Sequence, residues 1–419
     1  MSWIGSFMRV ELINTGTEII RGDRSNTHLP FLAHELFFLG EKFTLQIAAA
    51  DSKDLVEIIR RSFYRSALTI VTGGLGPTSD DVTKEAVSEA LGIPLIGNQE
   101  LSRKIKSFYD AAGITVPDWA IQKQSLCLEN ALLLDNEYGS ACGSIIEKGG
   151  RFLIMLPGPP HELEPMWKKH VVPWWRSRFD LKKAYRLIGK VVGIAESLIQ
   201  EKVEEKLKKI GVDEIGYCES PGEVSIRLSF QEQEKATKIM QLLTETFGSD
   251  LYALEDKELE EVVIENAVAK KLKIATAESC TGGLISNRLT NVPGSSAAFT
   301  YGWVTYSNEA KVSQLKVNKS LLDSVGAVSK EVAEAMAQGA LETSGADIAL
   351  AVTGIAGPQG GSPEKPVGLV WIAISRKGMV PVAYKRFFPS DRITFKRLVS
   401  QFGIDLLRRI ILDKDLPKC

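Results

Sequence analysis

The chain has 419 residues, 44 % of them hydrophobic and 25 % charged, which fits two or three domains with sizeable cores and excludes disordered, collagen-like and coiled-coil chains. Its 51 basic and 52 acidic residues leave a net charge of −1, so no global field recruits nucleic acid or an anionic membrane, and polyanion binding would need a local patch. Five widely spaced cysteines (Cys127, Cys142, Cys218, Cys280, Cys419) contain no C-x-x-C pair, which points to a reducing cytoplasm rather than a disulfide or thiolate–metal framework.

The opening MSWIGSFMRVELI brings in Arg9 and Glu11 too early for a signal-peptide core. No window reaches the roughly 18 to 20 apolar residues of a membrane span, so a protein neither exported nor membrane-bound is expected. Residues 1–7 read as an extension whose Trp3 and Phe7 would need a local docking site. From 8 to 99, VELINTG, THLPFLAHELFFLG, LQIAAAD, KDLVEIIRRSFYRS, LTIVTGG and DVTKEAVSEALG alternate strand and helix patterns, predicting a parallel sheet wrapped by helices. Leu55, Ile58, Ile59 and Phe63 form one helical stripe with Ser52 as its expected cap, and Gly92 closes the later helix. RFLIMLPG adds a further strand. The first domain is placed at 1–176.

Residues 177–256 read as a small α+β module: RLIGKVVG, the helix SLIQEKVEEKLKKIG, two strands around EIGYCESPGEVSIRLSF, the helix EKATKIMQLLTETFG and a last short strand. Residues 182–261 hold 12 basic against 17 acidic residues, and KELEE reads as a hinge or a helix start. A second α/β domain is expected over 257–419, where ADIALAVTG is a continuous apolar run suited to a central strand and RITFKRLVSQFGIDLLRRIIL closes the chain as a helix. The fold class is therefore α/β at both ends, with a small α+β module between them.

The first chemical candidate is TGGLGPTSDD, between the strand LTIV and a helix, where Gly73, Gly74, Gly76 and Thr78 suit a phosphate-cradling turn. The same residues also suit a tight turn with Asp80 or Asp81 as a cap. GTEIIRGD places Glu18 and Asp23 near the end of the first strand, and carboxylates beside a phosphate loop suggest a divalent metal on a pyrophosphate. LPGPPHELEPMW reads as a rigid wall of the same site.

The second candidate is ATAESCTGG, which sets Glu278, Ser279, Cys280 and Thr281 at a strand end before a helix pattern, a place that exposes a nucleophile beside backbone donors. Hydroxyls merely capping a helix are the alternative. All four histidines (His28, His34, His161, His170) lie in the first domain, so a serine nucleophile implies a lysine base, for which Lys311 beside Arg392 is the candidate if burial lowers its pKa. A solvated Lys311, and Cys280 as the rival nucleophile, remain open at this level.

GTE, TGGLGPTSDDVTKEA and LPGPPHE resemble the molybdenum-cofactor-biosynthesis-like domain of CinA proteins, which implies metal-dependent ADP-ribose pyrophosphatase activity with Glu18, Asp80 and Asp81 on the metal. The chain has NTH where the family usually has Asn-Thr-Asn, and GSACG where Gly-Thr-Ala-Pro-Gly is common. The middle module resembles the family's KH-like domain, but has no GxxG loop, which reads as a spacer or dimer contact. AESCTGG, VTYSNEAK, GAVSKEVAEAMAQGA, TGIAGPQGG and KPVG closely resemble the C-terminal CinA domain, the nicotinamide-nucleotide amidase family.

That resemblance implies hydrolysis of nicotinamide mononucleotide to the carboxylate and ammonia without a cofactor. Ser279 attacks, Lys311 moves the proton, Tyr306 assists and Arg392 contacts phosphate or positions the base, with amides from Cys280 to Gly283 holding the oxyanion. Thr281, Gly282, Gly283, Thr353, Gly354 and Gly357 are the implied substrate contacts, and a cytoplasmic homodimer is expected. The alternatives are an amidase whose first domain only binds a nucleotide or pterin, and a competence or DNA-damage accessory protein.

Overall fold

A computed structural model describes residues 8–179 and 184–417, and the expectations for Trp3, Phe7 and Cys419 lie outside them. The chain divides into two packing units, up to Ala184 and from Tyr185 onward, so the middle module and the C-terminal domain form one unit.

The first unit carries β1 (Val10–Thr15), β2 (Phe43–Ala49), β3 (Leu68–Thr72), β4 (Leu95–Gly97), β5 (Leu126–Leu128), β6 (Leu132–Leu134), β7 (Gly143–Lys148) and β8 (Arg151–Leu156). The main sheet runs β2-β1-β3-β8-β7-β6, parallel through its first four strands, while β4 and β5 form a separate ribbon. β1 and β3 are buried at every position; their residues are apolar or threonine except Glu11, which pairs with Arg65, and Asn14, which donates to the Thr72 hydroxyl. The helix Asp54–Arg65 buries Leu55, Ile59 and Phe63 as its stripe predicts, with Ile58 half-buried. Ser52 is not its cap. The helix starts after Lys53, and Ser52 contributes only its carbonyl, 3.1 Å from the Leu55 amide. Gly92 closes the helix Thr83–Leu91 in the left-handed conformation (φ 61°).

The second unit opens with β9 (Tyr185–Val192), β10 (Glu214–Ser220), β11 (Glu223–Phe230) and β12 (Leu251–Ala253), in the order β10-β11-β9-β12 with every neighbour antiparallel. With the helices Glu196–Ile210 and Lys235–Phe247 this is a split β-α-β module. KELEE is a helix start: Glu258 and Glu261 form a reciprocal capping box on Leu259–Ala269.

The remaining strands are β13 (Ile274–Glu278), β14 (Phe299–Val304), β15 (Ile348–Gly354), β16 (Leu369–Arg376) and β17 (Val382–Phe387), in the order β14-β13-β15-β16-β17. β13 is parallel to both neighbours and fully buried; β15, parallel to β13 and antiparallel to β16, is buried up to Thr353. The closing helix Arg392–Ile411 packs on this sheet, and its Arg408 and Arg409 reach the Ser249 carbonyl and the Asp250 carboxylate of the small module. No described helix is long and apolar enough to cross a membrane.

In both α/β sheets the chain leaves the central strand to one side and returns on the other. The first unit does so from β1 to β2 and then β3, the second from β13 to β14 and then β15. The crevice at the carboxyl ends of β1 and β3, and of β13 and β15, is where such folds hold ligands.

Candidate functional site

Ser279 follows β13 directly, its amide 3.0 Å from the Val352 carbonyl of β15. The turn behind it is built around Glu278, whose fully buried carboxylate accepts from the amides of Gly283 (3.0 Å), Ile285 (3.0 Å) and Ser286 (2.8 Å) and from the Ser286 hydroxyl (2.6 Å). That carboxylate satisfies the exposed donors at the start of the helix Leu284–Asn291 and complements its positive end. Gly282 and Gly283 adopt φ 63° and 94°, the left-handed region in which glycine carries no steric penalty. Of the amides expected to hold an oxyanion, Gly283 is thus spent on Glu278, and Gly282 on the Ser279 carbonyl at 3.1 Å. The amides of Cys280 and Thr281 have no partner among the described residues.

Lys311 lies on the helix Asn308–Leu315, 1 % exposed. Its Nζ is 3.2 Å from Ser279 Oγ, 2.8 Å from the Thr305 carbonyl and 3.3 Å from the Tyr306 carbonyl, with no carboxylate paired to it. Burial lowers its pKa from the ordinary lysine value, outweighing the opposite pull of Cys280 and Glu309. Cys280 is also buried, but burial pushes its thiol up to about 12, so the thiolate is suppressed and Ser279 is the better placed nucleophile.

The other expected residues divide between rim and wall. The Tyr306 hydroxyl meets Arg392 Nη2 at 3.0 Å, and it is the Tyr306 carbonyl that reaches Lys311. Arg392 also donates from Nη1 to the Gly357 carbonyl at 2.9 Å, tying the TGIAGP loop to the rim. Thr353 donates its hydroxyl to the Ala327 carbonyl at 2.8 Å, and Gly354 is held free of a side chain by the Leu369 carbonyl and Val370. The Gly357 position closes on Val367, with φ 69°. These three build the wall, and among the described residues none of them is hydrogen-bonded to Ser279 or Lys311. The hydroxyls of Thr281 and Thr305 are buried without partners, beside the pair.

The N-terminal crevice is an open cleft of about 720 Å³. It is lined by Glu18, Asp51, Asp80, Asp81 and Glu162, with Arg24, His28 and His161, and the prolines 157, 159 and 160 form the expected wall. Asp23 is not among its lining residues. Gly73 (φ 98°) and Gly74 (φ 64°) are required because Thr15 occupies the place of a side chain at the first and Thr83 at the second. Gly74, Leu75 and Gly76 line this cleft, and their amides have no partner among the described residues, leaving donors that a phosphate could use.

Asp81 is committed to the turn: its Oδ2 accepts from the Thr78 amide (2.9 Å) and hydroxyl (2.5 Å). Among the described residues no three His, Cys, Asp or Glu side chains stand close enough to hold a metal ion alone, so Glu18, Asp80 and Asp81 are not a preformed cage. Asp51, which the sequence reading left out, supplies a buried Oδ1 with no partner, while its Oδ2 accepts from the Thr17 amide at 3.0 Å. Burial raises the Asp51 pKa, with Glu18 and Asp80 adding to the shift. An all-oxygen set with one orphaned carboxylate oxygen fits a hard cation shared with a ligand's phosphates and water. The signal for Asp51 was present in LQIAAAD, an acid at the end of a parallel strand.

His28, the third residue of NTH, joins the two rims. It lies 2.9 Å from Thr72 Oγ1 through Nδ1 and 2.6 Å from the Gly158 carbonyl through Nε2. The carbonyl only accepts, so Nε2 carries the proton and Nδ1 accepts from Thr72, the neutral form that burial also favours. In GSACG, Cys142 is buried and bonds the Leu134 carbonyl, and Ser140 meets Gln124 and Tyr109.

Comparison with known proteins matches both ends of the chain to known domains. Residues 256–411 match the CinA C-terminal domain, and residues 11–177 match the probable molybdopterin binding domain. A putative competence-damage inducible protein of Caldicellulosiruptor saccharolyticus is 42 % identical over 417 residues, covering 97 % of this chain and 100 % of its own. A CinA-like protein of Akkermansia muciniphila is 40 % identical over 401 residues, covering 94 % of this chain and 95 % of its own. The solved competence/damage inducible protein of Agrobacterium tumefaciens is 41 % identical and covers 39 % of this chain and 99 % of its own, with a TM-score of 0.36. Matched along nearly its whole length and at both ends by the expected domains, the chain belongs to the CinA family.

Proposed function

We propose that the C-terminal domain hydrolyses the carboxamide of nicotinamide mononucleotide to nicotinic acid mononucleotide and ammonia, with Ser279 as nucleophile and Lys311 as base. One observation carries this reading. Lys311 is buried without an anionic partner, two carbonyl oxygens take its N–H groups, and Ser279 Oγ stands 3.2 Å away. In the neutral amine that burial favours, those two N–H bonds leave the lone pair for the serine proton.

Ser279 Oγ then adds to the amide carbon as its proton passes to Lys311 Nζ. The oxyanion accepts from the free amides of Cys280 and Thr281. Lys311 returns the proton to the departing nitrogen, ammonia leaves, and the acyl-serine is hydrolysed by water activated at the same Nζ. The test is incubation with nicotinamide mononucleotide in the absence of metal. Equal amounts of ammonia and nicotinic acid mononucleotide, lost in Lys311→Ala, support the reading, and no turnover by folded protein refutes it.

For the first domain the reading is a metal-dependent pyrophosphatase acting on ADP-ribose. A divalent ion, when bound, would supply neutralisation of the pyrophosphate charge. Glu18, Asp80 and the orphaned Asp51 oxygen would hold it, and the amides of Gly74 to Gly76 would take a phosphate oxygen. Metal-dependent release of AMP tests this, and tight binding without release would instead favour a nucleotide-binding module. Retardation of single-stranded DNA at low salt would favour the accessory reading, against which the near-zero net charge stands.

A further inference from the structure

The amidase reading leaves open how a mononucleotide is told from the uncharged riboside. A phosphate dianion needs donors or a cation not already committed. The helix Arg392–Ile411 begins beside the nucleophile turn, yet its first amides are taken, since Asp391 Oδ1 accepts from Ile393 (2.9 Å) and Thr394 (3.1 Å). In the nucleophile turn Glu278 and the Ser279 carbonyl consume the amides of Gly283 and Gly282. Arg392 spends one guanidinium nitrogen on Gly357 and another on Tyr306, and the Lys311 ammonium is disfavoured by burial.

One cation remains. Lys396 sits one helical turn after Arg392, on the same face. It is half-buried and has no hydrogen-bond or ion-pair partner among the described residues. A Cβ placed on Gly282 would lie 3.6 Å from its Nζ, in ordinary van der Waals contact, so the ammonium lies over the turn that carries Ser279. Thr281 in that turn adds a fully buried hydroxyl without a partner. A lysine ammonium beside this turn with no carboxylate partner is free to meet an anion that arrives with the ligand.

We propose that Lys396 is the specificity residue of the amidase site, binding the 5′-phosphate of the mononucleotide over Gly282 while Arg392 holds the rim. The proposal rests on the amidase reading and adds the group that selects a phosphorylated substrate.

The experiment measures kcat and KM of the full chain for nicotinamide mononucleotide and for nicotinamide riboside, in wild type, Lys396→Ala and Lys396→Arg. A charge-assisted contact predicts that Lys396→Ala lowers the preference for the mononucleotide by about 10- to 100-fold, chiefly through KM, and that Lys396→Arg restores most of it. Thermal melting confirms that each variant is folded, and Lys396→Gln replaces Lys396→Ala if the latter is not. An unchanged preference, or an equal loss on both substrates, overturns the proposal while leaving the amidase reading intact. Failure of the wild type to hydrolyse either substrate overturns both, and is distinguishable because it appears without any substitution.

Discussion

The two α/β sheets place their sites at the same topological point, yet the sites are physically opposite. At the ends of β1 and β3 the crevice is an open cleft, with carboxylates at its edge and unpaired glycine amides on one loop. At the ends of β13 and β15 the reacting pair is almost sealed, Ser279 at 9 % and Lys311 at 1 % exposure. Topology decides where a ligand meets the sheet, and the residues at that place decide the dielectric. A wet crevice suits ions and phosphates, whereas a dry one turns a lysine into a base.

The sharpest way to break this contrast is to remove the base. Lys311→Ala is expected to lower amide hydrolysis by about 10³- to 10⁴-fold while leaving AMP release from ADP-ribose unchanged, both followed by chromatography. If both activities fall, the two regions are not independent. Ser279→Ala is expected to match that loss, whereas Cys280→Ala stays within about threefold, because a buried thiol with a raised pKa contributes packing. The reverse ranking would transfer the nucleophile to Cys280.

Glu278→Gln sharpens the picture next. It keeps the shape but turns an NH₂ toward donors, so the turn behind Ser279 loosens. A fall in kcat of about 10- to 100-fold with KM nearly unchanged is expected, since small misplacements of a reacting group are costly.

The pH profile tests the dryness itself. Burial lowers the Lys311 value below the usual 10.5, so amidase activity should rise with pH on a limb centred below 10.5. The sign for stability follows: with the folded value below the unfolded one, this lysine costs stability at low pH. That cost shrinks as pH rises from the folded toward the unfolded value. A flat profile between pH 6 and about 10 would contradict a lysine base. Smallest of all, Asp81→Asn should cost about 1 kcal/mol in thermal unfolding by weakening the Thr78 turn, with pyrophosphatase activity affected less than by Asp80→Asn. The opposite order would return Asp81 to the ion.

Much was readable before folding. The buried strands β1, β3 and β15, the stripe Leu55, Ile59, Phe63 and the glycine stop at 92 follow from local pattern and turn chemistry. So does the position of Ser279 at a strand end, and with it the need for a base outside the histidines. Ser52 failed as a cap because capping depends on where the first turn closes, which a stretch rich in polar residues does not specify.

Composition and motif thus determined the domain classes, the two loop clusters and the nucleophile turn, since these rest on periodicity and on backbone conformations only glycine adopts freely. Tertiary structure alone decided which groups were already spent. Glu278 consumes the Gly283 amide, Asp81 folds back on Thr78, Thr353 serves Ala327, and Arg392 serves Gly357 and Tyr306. It also decided that Lys311 loses water and that Lys396 keeps an unpaired charge. Hydrogen-bond commitment and desolvation depend on neighbours brought together from distant parts of the chain, and no local pattern records them.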